Sequence, residues 1–321
     1  MKTVILDGNA ANPGDLSWDK FRAFGELTVY DRTSPELVAE RMADASIVVL
    51  NKVTITEDIL NNCPNLIVIA VLATGYNMID LDAATKRGIT VCNVPAYSTD
   101  SVAQHTFALL LEACVRVGGH SASVHDGGWV NAKDYCYWKW PLIELSGKTL
   151  GIIGLGNIGK KVADIAIAFG MKVVYYSRTR RERLENDFLT YRELDELLAV
   201  SDAVSLHCPL TSETEGLINA EAISKMKDGA ILINTTRGTV LDENAVARAL
   251  NSGKLCAAGL DVLSTEPPSA DNPLLSAKNC IITPHIAWAP KESRARLIDV
   301  TYNNIRLYLE GRPQNVVSTQ S

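Results

Sequence analysis

Residues 150–178 read LGIIGLGNIGKKVADIAIAFGMKVVYYSR. An apolar run ends in Gly154, Gly156 and Gly159, a helix-periodic segment closes at Gly170, and a β-branched run follows. That is the strand, turn, helix, strand order of a dinucleotide site. In such a site Gly154 permits the tight turn, Gly156 lets a pyrophosphate approach the backbone, and Gly159 lets helix and sheet pack closely. The helix, which opens with Asn157 and Ile158, aims unpaired N–H groups at the phosphates, so no charged side chain is required. A lone GxGxxG also occurs in ordinary loops. Here strands flank it on both sides and the first carries no charge, which favours the cofactor reading.

The end of the second strand bears on the choice of cofactor. An NAD site usually places an acid there to accept from the ribose 2′-OH, but this chain has Ser177 followed by Arg178, Thr179, Arg180 and Arg181. A hydroxyl followed by cations favours the 2′-phosphate, making NADP(H) the preferred cofactor and NAD(H) the second choice. The alternative is a solvated basic helix start.

The 321 residues suffice for two domains, and 47% hydrophobic residues can fill two cores. A net charge of −6 argues against a nucleic-acid binder, whose footprint would be a basic face. The seven cysteines show no CxxC pair and no metal-ligand spacing, so they read as reduced and mostly buried, with no metal site. Met1 opens directly into a strand, without a leader pattern, and no apolar run has the length of a membrane span. The expectation is a cytoplasmic protein that does not engage a membrane.

From Met1 to Asn93, the runs TVILDG, LTVYD, SIVVLN, LIVIAVLA and ITVCN alternate with helical segments, which predicts a parallel α/β sheet. Ser34 and Thr56 mark helix starts and Gly88 a helix stop. The loop LATGYN, residues 72–77, ends a strand where ligands collect. PAYST, residues 95–99, reads as a hinge, and SVAQHTFALLLEACVRV as an apolar helix for a domain or subunit face. His105 on that helix reads as a satisfied polar group, with nothing nearby to orient it for proton transfer. Beyond the fingerprint, alternation resumes to give six parallel strands in all. A helix over 290–311 is expected to return to the first domain, with a frayed end from Pro313. The organisation is α/β: a doubly wound Rossmann domain (101–289) inserted into a flavodoxin-like substrate domain (1–100 and 290–321).

Three polar residues fall at or just after strand ends of the inserted domain: Arg237 in NTTRG, Glu266 in DVLSTEPP and His285 in TPHIAWA. Reducing a 2-oxo acid requires a cation to grip the carboxylate, a proton donor for the developing alkoxide, and a partner that keeps the donor protonated. Arginine, histidine and glutamate suit those roles in turn. Each residue taken alone could equally be an ordinary strand-end or turn residue. His207 stands at a strand end on the adenosine side and is given no catalytic role. No HExxH, clustered metal ligands or GxSxG turn occurs.

The segments LATGYNMID, VPAYSTDSVAQHTFALLLE, LSGKTLGIIGLGNIG, HCPLTSETEGLIN, LINTTRG, GLDVLSTEPP and NCIITPHIAWA together resemble the D-isomer-specific 2-hydroxyacid dehydrogenases, most closely their glycerate dehydrogenase and hydroxypyruvate (glyoxylate) reductase branch. The resemblance implies that Arg237, Glu266 and His285 form the catalytic set and that the backbone of Ala73, Thr74 and Gly75 holds the substrate carboxylate. It implies Asp261 on the nicotinamide carboxamide, Cys208 and Pro209 about the adenine, Thr214 near the cofactor, and Thr235 and Thr236 lining the nicotinamide side. A small 2-oxo acid substrate and a homodimer built on the nucleotide-binding domains are also implied. Ser177 departs from the acid of the NAD-using members. Other readings on the same fold are a nucleotide-sensing corepressor and a phosphite or formate dehydrogenase. Glu266 speaks against the formate enzymes, which have glutamine there.

Overall fold

Short runs of β-branched and apolar residues become strands, and the polar segments between them become helices closed by caps at their ends. The computed structural model describes residues 1–318. Along the chain it begins with β1 (Lys2–Ile5), β2 (Glu26–Val29), α1 (Val38–Met42), β3 (Ile47–Leu50), α2 (Glu57–Asn61), β4 (Val68–Val71), α3 (Leu81–Lys86) and β5 (Thr90–Cys92). Next come α4 (Thr99–Val115), α5 (Val117–His125), β6 (Thr149–Ile153), α6 (Asn157–Ala168), β7 (Lys172–Tyr176), β8 (Leu189–Tyr191), α7 (Leu194–Val200), β9 (Ala203–Leu206) and α8 (Ala220–Lys225). The chain closes with β10 (Ala230–Asn234), α9 (Glu243–Ser252), β11 (Leu255–Leu260), β12 (Cys280–Ile282), α10 (Lys291–Leu309) and β13 (Val316–Val317). Two units result: Met1–Ser98 with the chain from Trp288 onward, and Thr99–Ala287.

In the first unit the strands run β13-β5-β4-β3-β1-β2, parallel except for β13. Without β13 this is the flavodoxin-like order 2-1-3-4-5. Alternate strand residues serve two cores. Val4, Val48, Leu50, Ile69 and Val71 face α1 to α3, whereas Ile5, Ile47, Val49, Val68 and Ala70 face Leu297, Ile298 and Ile305 of α10. Helix starts are locally encoded: Thr56 and Asp80 accept from the amides of Ile59 and Ala83, and such caps contribute about 1 kcal/mol each. Ser34 does not cap the backbone; its hydroxyl bonds Glu36 instead. Residues 313–318 are not frayed, and the rest of that expectation, residues 319–321, lies outside the described residues. Val316 and Val317 pair with Cys92 and Val91, and Asn315 is tied to Asn93 and Asn304. A two-residue strand makes too short a pattern to be read before its partner is known.

In the second unit the order is β12-β11-β10-β9-β6-β7-β8, wholly parallel. It holds seven strands rather than six, because Leu189–Tyr191 forms an edge strand too short and too polar at its flanks to stand out. Taking β6 as the first, the order is the Rossmann 3-2-1-4-5-6 with one strand added at the edge. One face packs on α7, α8 and α9, the other on α4 and α6, so the apolar side of α4 covers its own unit's sheet. Among the described residues no helix is long and apolar enough to cross a membrane. All seven cysteines are free. Burial pushes the Cys92 and Cys114 thiols up to about 11 and Cys280 to about 12, values that suit inert packing residues.

Candidate active site

The turn after β6 is built by the absence of side chains. At Gly154, φ is +99°, and a Cβ would stand 2.6 Å from the backbone of His207 and Cys208. At Gly159 it would stand 2.1 Å from the carbonyl oxygen of Gly154, so strand and helix touch through this glycine. Gly156 is different: a Cβ there meets nothing within 4 Å and would project into open space. It occupies the N-cap of α6 with no side-chain cap and no acid in the first turn, leaving the first amides of Asn157 and Ile158 for an anion. These features fit the pyrophosphate of a dinucleotide.

Beyond β7, Ser177 Oγ donates to the Thr179 carbonyl at 2.8 Å. Arg180 is committed to Glu185 through two 2.7 Å bonds, and this pairing holds the Glu185 carboxyl down at about 2. Glu185 also accepts from the buried Tyr175 hydroxyl, which itself accepts from the Arg181 amide. Arg178 is exposed and has no hydrogen-bond partner among the described residues. At the end of β9, Cys208 is buried and its thiol pushed up by that burial. Thr214 Oγ1 is spent on the turn, donating to the Pro209 carbonyl at 2.7 Å and accepting from the Thr211 amide. His207 is pushed down to about 3 by burial, which leaves its imidazole neutral and unsuited to donate a proton. Its Nδ1 is buried without a partner among the described residues, and its Nε2 meets Ser205 Oγ at 2.8 Å.

The loops after β10, β11 and β12 are built the opposite way, from side chains. His285 Nδ1 lies 2.6 Å from Glu266 Oε2, and Glu266 Oε1 accepts from the Leu263 amide at 3.1 Å. Both side chains remain partly exposed, at 31% and 38%. The carboxylate orients the ring with Nε2 free, the arrangement of a general acid with an orienting partner. His285 has φ +53°, a left-handed conformation maintained by bonds from its amide to the carbonyls of Asp261 and Thr283. Asp261 is 1% exposed. Burial alone would raise its carboxyl, yet bonds from His105, Thr283 and the amides of Ala287 and Ile286 hold it below the ordinary value.

Arg237 begins the turn after β10, and its Nη1 donates to the Thr236 carbonyl at 2.7 Å. No hydrogen bond joins it to Glu266 or His285 among the described residues. What brings its loop to theirs is Gly238, where a Cβ would fall 1.9 Å from the backbone carbon of Leu263. The buried Asn234 fixes the same turn: Oδ1 accepts from the Thr236 amide and hydroxyl, and Nδ2 donates to the Arg237 carbonyl at 2.9 Å. Thr235 Oγ1 meets Thr106 Oγ1 at 3.2 Å. Asn234 and Gly238 were not singled out by the sequence reading; the only signal for them is their place in NTTRG, three residues before Arg237 and one after it. His105 does have orienting neighbours, contrary to the expectation: its Nε2 lies 2.9 Å from Thr283 Oγ1 and 3.3 Å from Asp261 Oδ1. They are 156 or more positions away in the chain, so proximity in sequence could not reveal them.

In the first unit, Ala73, Thr74 and Gly75 follow β4 at its carboxyl end. Thr74 Oγ1 donates to the Val94 carbonyl at 2.9 Å, and the carbonyls of Ala73 and Thr74 accept from the Val94 amide and Asn93 Nδ2, which fixes the course of this loop.

Residues 107–287 match the family described as D-isomer specific 2-hydroxyacid dehydrogenase, NAD binding domain. A hydroxypyruvate reductase of Blautia hydrogenotrophica is 54% identical, the match covering 99% of this chain and 100% of that protein. A glycerate dehydrogenase of Methylorubrum extorquens is 39% identical over 98% of both. Among solved structures, the D-lactate dehydrogenase of Aquifex aeolicus complexed with NAD and lactic acid superposes with a TM-score of 0.83 at 33% identity, covering all of both chains.

Proposed function

Since this chain belongs to the D-isomer-specific 2-hydroxyacid dehydrogenases, we propose that it reduces hydroxypyruvate and glyoxylate to D-glycerate and glycolate, with His285 as the acid. The observation that carries the reading is the 2.6 Å pair of His285 and Glu266 beside the Arg237 turn. A reduced nicotinamide, when bound, supplies the hydride to C2. Arg237 grips the carboxylate and polarises the carbonyl, and His285 Nε2 delivers its proton to the oxygen as negative charge develops there. Glu266 holds the imidazolium in place and compensates its charge. Asp261 is assigned to the carboxamide by family resemblance. The amides of Ala73, Thr74 and Gly75 are assigned to the substrate carboxylate by family resemblance.

NADP(H) is the preferred cofactor in this reading. Ser177 offers no carboxylate to a ribose diol, Arg180 is occupied by Glu185, and the exposed Arg178 and Arg181 are cations left for a 2′-phosphate. The loop between α5 and β6 exposes Trp129, Val130, Tyr135, Trp138 and Leu142, each at 53% or more, which supports a homodimer through this unit. Light scattering on the purified chain tests the dimer. Steady-state oxidation of NADPH and of NADH with hydroxypyruvate, glyoxylate and pyruvate tests the rest. Fast turnover with NADPH and hydroxypyruvate is the expected outcome; better turnover with NADH would overturn the cofactor preference alone, and no turnover with either would overturn the reaction.

A further inference from the structure

We infer that His105, on α4 and outside the catalytic set, is a positioning residue that clamps the loop carrying His285 through Thr283 and Asp261. The inference rests on the catalytic reading for its consequence, but its geometry stands apart from it.

The hydrogen bonds settle who donates. Thr283 Oγ1 gives its single proton to Asp261 Oδ1 at 2.5 Å, so at its 2.9 Å contact with His105 Nε2 it must accept. His105 therefore carries its proton on Nε2 and shares it between Thr283 and the carboxylate oxygen 3.3 Å away. That same oxygen accepts from the Ile286 amide at 2.9 Å, while Oδ2 accepts from the Ala287 amide at 2.8 Å. The Asp261 carbonyl takes the amide of His285 itself. The left-handed residue that bears the imidazole is thus bracketed on both sides by groups anchored to one buried carboxylate, and His105 fixes that carboxylate from a separate helix.

The backbone is arranged to allow this reach. Leu109 lies one turn after His105 on the same face of α4, and Gly259, on β11, lies two residues before Asp261, which follows the strand directly. A Cβ at Gly259 would stand 2.8 Å from Leu109 Cβ, so this glycine lets helix and strand approach closely just where the histidine must touch the aspartate. His105 is one-fifth exposed at its side chain and Asp261 almost wholly buried, so water competes little for the bond.

The test compares His105→Phe, which removes the donor, with His105→Gln, whose amide nitrogen can stand in for Nε2. In the full chain, His105→Phe should lower kcat for 2-oxo acid reduction about 10- to 100-fold, the cost of a small misplacement of the acid. NADPH affinity, followed by fluorescence, should stay within about threefold, a shift under 1 kcal/mol. His105→Gln should restore most of kcat. Hydrogen–deuterium exchange at the amides of Ile286 and Ala287 should quicken in His105→Phe and return to the wild-type rate in His105→Gln. Should the phenylalanine variant not fold, Thr283→Val severs the same bridge with little change of shape and carries the same expectations. An unchanged kcat in the donor-less variant, equal impairment of the Phe and Gln variants, or unchanged exchange would each overturn the proposal. If the wild-type chain reduced no 2-oxo acid, the catalytic reading would fail by itself, and the exchange rates would still decide whether His105 holds this loop.

Discussion

The turn after β6 and the loops after β10 to β12 lie at the carboxyl ends of one parallel sheet, yet they are built on opposite plans. The first makes its site by leaving side chains out: Gly154 and Gly159 let backbone meet backbone, and Gly156 leaves space in front of uncapped helix amides. The second makes its site from side chains and fixes them with buried polar groups, Asn234 beneath Arg237 and Asp261 beneath His285. A backbone site binds a ligand whose charge is the same in every complex, as a pyrophosphate is. A site that must hold a proton and then release it needs titratable groups, and these must be oriented.

The contrast breaks first at His285. His285→Ala should cut kcat by about 10²- to 10⁴-fold, the range of general acid catalysis, while cofactor affinity changes little. Equal loss of both would erase the division between the two regions. Next comes Gly156 against Gly159. Gly156→Ala should leave the melting temperature unchanged and weaken NADPH binding at least tenfold, about 1.4 kcal/mol. Gly159→Ala drives a methyl into the Gly154 carbonyl and should destabilise the fold by about 1–3 kcal/mol in denaturant unfolding. If the two variants behave alike, the open space at Gly156 is not a ligand space.

Glu266→Gln sharpens the plan of the side-chain site. The carboxylate 2.6 Å from His285 orients its ring, so the substitution should lower kcat about 10- to 100-fold through misplacement of the imidazole. Steady-state turnover with an unchanged kcat would uncouple the pair. The smallest effect belongs to cofactor choice. Arg178→Ala should raise KM for NADPH about tenfold, a 1.4 kcal/mol loss, and leave KM for NADH nearly unchanged. A parallel rise in both would assign Arg178 to the solvated surface.

Local patterns carried most of the architecture. The glycine spacing at 154, 156 and 159 and the alternation of apolar runs with capped helices need only neighbours in the chain, and both sheets follow from them. Where the pattern was too short, as at Leu189–Tyr191 and Val316–Val317, pairing with a distant strand decided the outcome. The contacts of His105 show the same boundary at the site: its helix was legible, but its partners at 261 and 283 were not.

From the sequence alone come the α/β class and the Rossmann turn, because each is written in contiguous runs whose local physics selects one conformation; Arg237, Glu266 and His285 were named there by their chemistry and by family resemblance. Tertiary structure alone decided that Glu266 and His285 meet at 2.6 Å, that Gly238 seats the Arg237 turn on Leu263, and that Arg180 is taken by Glu185 and so withdrawn from any phosphate. These are contacts between side chains or backbones brought together by strand order and loop closure, and short hydrogen bonds and van der Waals limits are satisfied in space without leaving a periodic trace in the chain.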